Sequence, residues 1–395
     1  MDIINDKDAD GNTPFYKACS LGQLDLATKL YDLCNNVISF KNDTNCTPFY
    51  IACFNGHLDI AQWLADINST IINIPNNTIC TPLYAACLNG HTKVAKWLIS
   101  IDKSLLNFVN DNNCTPFYAA CFNGHFEIAQ MIHNIDPTFI NISNKNTCTP
   151  FYAACLNGHM DIVEWLVSID KSFVSKSNNR GCTPFYAACW TNQLNIIKFL
   201  YSIDPTIINV PNNYNFTPIY VACLKEYLPM AEWLIDIIDV KAINTKTTSD
   251  HTPVTAACYN GHLNALQLLY AKNPLYITSQ IKDLERIANN MDRQDILIWL
   301  TELNVLNKSI KITPRFSNCP ICQAAVKEIF KLYCDVAQKC VICIEDTITE
   351  PATIQCGHVF CYDCVVQKNY VMSIIVPAVE ITGDKQPRTS QFPVG

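Results

Sequence analysis

Nowhere does the chain approach the ~20 uninterrupted apolar residues of a helical membrane span. Its start, Met1-Asp2-Ile3-Ile4-Asn5-Asp6, lacks the basic region and apolar run of a secretory leader. The expectation is a soluble intracellular protein, cytoplasmic or nuclear, with no membrane partner. Positive charge is scarce, with 28 Lys and Arg against 35 Asp and Glu; the net charge of −7 argues against a phosphate-binding surface and so against nucleic acid. Phosphate loop, nucleophile elbow and paired catalytic carboxylates are all missing, so no residue is assigned a catalytic role. Extensive disorder is excluded by a hydrophobic share of 49%.

What the chain has in abundance is repetition. A Thr-Pro pair starts at Thr13, Thr47, Thr81, Thr115, Thr149, Thr183, Thr217 and Thr252, a step of 34 residues six times and then one of 35. That period marks a solenoid, whose core lies between neighbouring units, so a length of 395 residues says little about domain number. The 22 cysteines follow the same logic. Cys19, Cys53, Cys87, Cys121, Cys155, Cys189, Cys223 and Cys258 recur once per unit. Equivalent positions on helices ~8–10 Å apart are too distant for disulfides, which need Cα atoms within ~7 Å, so these are expected to be reduced core thiols.

Within a unit such as Thr81 to His91, Thr81 caps a helix and Pro82 takes its first position. Ala85, Ala86 and Cys87 let a neighbouring helix approach, and Asn89-Gly90 ends the segment. A second helix follows with apolar residues at Val94, Trp97 and Leu98. Asn-rich turns such as Pro75-Asn76-Asn77-Thr78 join the units. The unit resembles the ankyrin repeat, whose hallmark is Thr-Pro-Leu-His, two Ala, then Gly-His. The resemblance covers about three quarters of the chain and implies an all-α solenoid of helix pairs with short hairpin turns, which binds protein partners. Tyr16, Tyr50, Tyr84, Tyr118, Tyr152, Tyr186 and Tyr220 stand where the family has His, so that residue's backbone hydrogen bonds must be replaced or lost. Repeats six and seven lack Gly-His, and Pro229 leads us to expect a shortened or bent helix around residues 224 to 230. Ile287-Ala288 and Asp295 to Leu300 point to a ninth, charged, terminal unit without Thr-Pro.

In ankyrin repeats the position after the two alanines usually lies on the concave, partner-binding face. Here it reads Ser20, Phe54, Leu88, Phe122, Leu156, Trp190, Leu224 and Tyr259. Two readings stand: an apolar protein-docking patch of Phe54, Leu88, Phe122, Leu156, Trp190, Leu224 and Tyr259, or packing between neighbouring repeats. A second cysteine row, Cys46, Cys80, Cys114, Cys148 and Cys182, is expected to be semi-buried and unreactive. His57, His91, His125, His159 and His262 are read as structural hydrogen-bonding residues rather than metal ligands.

After Pro314 the repeat ends and cysteine spacing changes. Cys340/Cys343 and Cys361/Cys364 are two Cys-x2-Cys pairs, with Cys356 and His358 between them, a zinc pattern in a stretch too short for a large core. The order from Cys340 to Cys364 resembles the first six ligands of a RING finger. That resemblance implies one zinc on Cys340, Cys343, Cys361 and Cys364, and a second on Cys356 and His358 with a final cysteine pair. No cysteine or histidine follows Cys364, whereas Cys319-Pro320-Ile321-Cys322 lies ahead of the motif and looks like a RING end. Either the finger is circularly permuted, with Cys319 and Cys322 closing the second site across 17 residues that reach ~50 Å, or it is incomplete. The RING resemblance implies docking of a ubiquitin-conjugating enzyme, with Ile342 at the apolar docking position. Lys368 stands where many ligases have Trp, and Gln323 where active members often have Arg. The expected organisation is an ankyrin array over residues 1–310, a small zinc-bound RING-like module over 315–370, and a tail over 371–395. Two functions fit: an adaptor that brings a protein to a RING-type ubiquitin ligase, or a non-catalytic ankyrin scaffold or masking protein with a degenerate finger.

Overall fold

A computed structural model describes residues 6–309, 351–353 and 359–361. The chain divides into two units, one ending at Ala256 and the other beginning at Ala257.

Each Thr-Pro from Thr13 to Thr217 opens a short helix: Pro14–Ser20, Pro48–Phe54, Pro82–Leu88, Pro116–Phe122, Pro150–Asn157, Pro184–Trp190 and Pro218–Leu224. The cause is local. Each Thr hydroxyl accepts the N–H of the Tyr three residues on, as Thr47 does from Tyr50 at 3.0 Å, while Pro sits where an N–H would be unpaired. These helices end in a turn with positive φ, normally at Gly. At Gly90 (φ 78°) an added Cβ would lie 2.6 Å from the ring of His125 in the next repeat, so backbone conformation and close approach both select glycine there. Ten-residue second helices follow, from Leu24–Leu33 to Leu228–Ile237, each presenting one apolar face. A five-residue 3-10 turn closes each of the first six repeats, with Asp or Asn capping most of them, as Asp102 does by accepting from Ser104 N–H at 2.8 Å.

Successive first helices pack on one another. Their core row is Phe15, Phe49, Leu83, Phe117, Phe151, Phe185 and Ile219, all buried. Long rings reach across the joint: Phe49 lies 6.3 Å from Trp97 of the following repeat, and Phe117 lies 6.5 Å from Trp165. The cysteine row from Cys19 to Cys258 is fully buried, and the cysteines from Cys19 to Cys258 are free thiols. Phe151, fully buried and stacked 5.8 Å from Phe173, gives a direct test of this packing. Phe151→Ala is expected to cost about 3–5 kcal/mol, read as a lower urea midpoint. A loss below ~1 kcal/mol would mean that the site collapses around the deletion or is not packed as described.

One expectation fails here. The helix holding Pro229 is neither short nor interrupted: Leu228–Ile237 has the usual 10 residues. Pro229 occupies its first turn, where no intrahelical N–H bond is lost, and Glu226 adopts φ 55° where repeats one to five use Gly and repeat six uses Asn192. The irregularity comes later. A four-residue α-turn, Val240–Ile243, replaces the 3-10 turn within the 35-residue step from Thr217 to Thr252.

The second unit contains helices Leu263–Lys272, Pro274–Ser279, Ile281–Asn290 and Gln294–Ser309. The last two form the pair that the sequence places in a ninth repeat, and the first of them lacks a side-chain cap, as the missing Thr-Pro requires. Tyr270 and Trp299 meet edge to face at 5.7 Å. Two short strands complete the description: Pro351–Thr353 and Val359–Cys361 pair antiparallel, with Pro351 opposite Cys361 and Thr353 opposite Val359. Among the described residues no helix is long and apolar enough to cross a membrane.

Candidate partner-binding face and zinc finger

The residue after the alanines sits at or near the end of each first helix. Phe122, Trp190 and Tyr259 are 36%, 37% and 52% exposed, while Phe54, Leu88, Leu156 and Leu224 are half-buried. Phe54, Leu88 and Leu156 lean on the core beneath them. The aromatic members are propped by the preceding Tyr: Tyr50–Phe54, Tyr118–Phe122 and Tyr186–Trp190 each stack at 6.3 Å. Phe122, Trp190 and Tyr259 therefore stand out, while Phe54 and the leucines fill grooves.

Its backbone is fixed from the next repeat. His57, His91, His125 and His159 bring Nε2 to the carbonyls of Ser20, Phe54, Leu88 and Phe122 at 2.8–2.9 Å, donating to the unpaired end of each helix. Where repeat six lacks that His, the Thr191 hydroxyl donates to Leu156 O at 2.6 Å. In the second unit Arg293 Nε donates to Tyr259 O at 3.2 Å, the same task done by a different side chain.

The bonds that Tyr displaces from the family pattern are replaced by a row that sequence reading did not single out. Asn42, Asn76, Asn110, Asn144, Asn178 and Asn212 recur at the repeat period. Each folds its hairpin by accepting two backbone N–H groups; Asn144 Oδ1 accepts from Asn146 at 2.9 Å and Cys148 at 3.0 Å. The amide then donates backwards, to Tyr50 OH from Asn76 and to Tyr118 OH from Asn144, both at 3.2 Å. From Asn178 it reaches the Cys148 thiol at 3.6 Å. Strict periodicity was the available signal. Cys46, Cys114, Cys148 and Cys182 are buried beside these amides and Cys80 is half-buried. Burial pushes the Cys46, Cys148 and Cys182 thiols up from their ordinary value and that of Cys114 to about 11, which keeps them protonated at neutral pH.

Of the zinc-ligand candidates, Cys361 has its backbone in the second strand. Cys319, Cys322, Cys340, Cys343, Cys356, His358 and Cys364, together with Ile342, lie outside the described residues.

Comparison with known families agrees with this architecture. The model for ankyrin repeats (3 copies) matches residues 2–74, 70–141 and 136–209. The model for the zinc finger, C3HC4 type (RING finger), matches residues 340–373. The chain belongs to the ankyrin-repeat family, and it carries a C-terminal RING-type finger. No curated protein matches it. The helix pairs continue well past residue 209, through Pro218–Leu224 with Leu228–Ile237 and on to Ile281–Asn290 with Gln294–Ser309.

C3HC4 fingers bind zinc, and the donors present suit that metal. Cys340, Cys343, Cys361 and Cys364 would supply four thiolates, a complete tetrahedral set by composition. Cys356 and His358 would be half of another, and residues 340–373 contain six of the eight donors that the C3HC4 pattern names.

Proposed function

We propose that the protein is a ubiquitin ligase adaptor in which the repeat array, residues 1–310, selects a protein and the RING-like module, residues 315–370, recruits a ubiquitin-conjugating enzyme. Residues 371–395 form a tail to that module. The observation that carries this reading is the joining of ankyrin repeats to a C3HC4 finger in one chain. Phe54, Leu88, Phe122, Leu156, Trp190, Leu224 and Tyr259 are the partner-facing row in this reading. Ile342 is the docking side chain, and the cytoplasm or nucleus is the place of action. The chain contributes no covalent catalyst; its role is to hold two proteins together.

The test is reconstitution from ubiquitin, activating enzyme, a panel of conjugating enzymes and the full chain. Self-ubiquitination is expected, with loss in Cys340→Ala and at least a tenfold fall in Ile342→Ala. Transfer that persists unchanged in Cys340→Ala refutes the proposal. A second reading is supported by Lys368 and Gln323 in place of the usual Trp and Arg. It is a scaffold or masking protein whose finger only stabilises the end of the chain. A zinc-loaded chain that is inert with every conjugating enzyme selects it.

A further inference from the structure

The hairpin tips form a second row on the structure, and its charge changes sign. Backbone bonds set the tips side by side: Lys145 N–H donates to Asn112 O at 2.8 Å, Asn179 to Asn146 O at 3.1 Å, and Asn213 to Arg180 O at 2.9 Å. The earlier tips carry Asp10, Asp43 and Asp111, whereas the fifth and sixth carry Lys145 and Arg180, both exposed. Tyr214, on the next tip, is 54% exposed. At the far end of the adjoining helices, Lys225 places Nζ 4.0 Å from the centroid of the Trp190 ring. Tyr186 supports the same ring, which keeps an open surface.

Among the described residues the ion pairs are Lys17–Asp8, Lys246–Asp250 and Arg286–Asp283, so Lys145, Arg180 and Lys225 have no carboxylate partner there. Acids flank the stretch at Asp111, one tip earlier, and at Glu226, beside Lys225 in the turn. Two exposed cations on neighbouring tips and a third on the supported indole, on a chain of net charge −7, make a local exception to the molecule's field.

We propose that this stretch, from the fifth hairpin to the turn of the seventh repeat, docks an acidic peptide segment that lays an apolar side chain on Trp190 between Arg180 and Lys225. An extended segment suits the site because the cations lie at both ends of a seven-residue helix, Pro184–Trp190, about 10 Å long. A nucleic acid strand fits it less well, since three cations offer few phosphate contacts against a negative molecule. The proposal rests on the partner-face reading above and names the chemistry of the partner.

The test uses the full chain and a fluorescein-labelled peptide of alternating Glu and Leu, followed by anisotropy at low salt with no ubiquitin present. The Glu–Leu peptide is expected to bind about tenfold or more tighter than a matched Gln–Leu peptide, with affinity falling as salt rises. Arg180→Glu and Lys225→Glu should each weaken it about tenfold, Arg180→Gln less, and Trp190→Ala should affect both peptides. Lys103→Glu, an exposed change in a 3-10 turn, makes the same change in net charge and should leave binding unaltered. Equal affinity for the Glu–Leu and Gln–Leu peptides overturns the proposal. So does equal weakening by Lys103→Glu, or tighter binding of an oligo-dT strand. The ligase assay is independent of these outcomes, so failure here leaves that reading standing, and inactivity there leaves this one.

Discussion

Between about pH 9 and pH 11 the repeat array is expected to unfold. Seven fully buried thiols of the first unit, Cys19, Cys53, Cys87, Cys121, Cys155, Cys189 and Cys223, are held above their ordinary value near 9.0 by burial. Below that value folded and unfolded chains both keep the protons, and pH has no leverage. Above it only the unfolded chain releases them, so each thiol removes about 1.4 kcal/mol of stability per pH unit until the folded value is reached. At pH ~10 seven such groups together cost on the order of 10 kcal/mol, comparable with the whole stability of a typical domain. Buried tyrosines, Tyr50 and Tyr118 among them, act in the same direction from a higher starting point. Thermal melts by circular dichroism under reductant at pH 7, 8, 9 and 10 would measure the slope. A triple change of Cys87, Cys121 and Cys155 to Ala should flatten it by nearly half. A melting temperature that stays level to pH 10 would contradict the burial described for this row.

The second large effect concerns zinc. One zinc per chain is expected by elemental analysis, held by Cys340, Cys343, Cys361 and Cys364 and lost in Cys340→Ser/Cys343→Ser. A zinc set of this kind supplies roughly 10–16 kcal/mol of apparent binding free energy, so a chelator should unfold the finger while the array's helical signal persists. Cys319→Ser/Cys322→Ser should leave that single zinc in place. Two zincs falling to one in this double change would instead show a permuted finger with both sites closed. No zinc at all would remove the basis for any ligase activity.

The helical part of the fold was legible because its determinants are short-range. Thr81-Pro82 is a cap within four residues, and Gly90 marks a turn that needs positive φ; neither depends on the rest of the chain. Pro229 was misread for a related reason. Whether proline breaks a helix or begins one depends on where the first turn lies, and Glu226 in the left-handed region set that start without the glycine that announces it in repeats one to five. The Asn ladder was periodic in plain sight, yet its acceptors lie 26 to 30 residues back in the preceding repeat, so no local rule points to them. Which members of the proposed binding row stand exposed, Phe122, Trp190 and Tyr259, and which are half-buried was out of reach for the same reason. Exposure at Trp190 is decided by Tyr186 beneath it and Lys225 beside it, from two different repeats. For the finger, the donor inventory was readable and its pairing was not.

The His-to-carbonyl and Asn-to-Tyr bonds all run one way, from a later repeat to an earlier one. The array consequently has a polarity, and its two ends are not equivalent. A chain shortened from the N-terminus loses acceptors and leaves behind imidazoles and amides that can turn to water. A chain shortened from the C-terminus strands backbone carbonyls and phenol oxygens that cannot move. During synthesis each unit likewise remains incomplete until its successor has emerged, so growth of the array is stabilised one joint late. Arg293, donating to Tyr259 O, keeps the same direction in the terminal helix pair and shows how the series can be closed without another Gly-His.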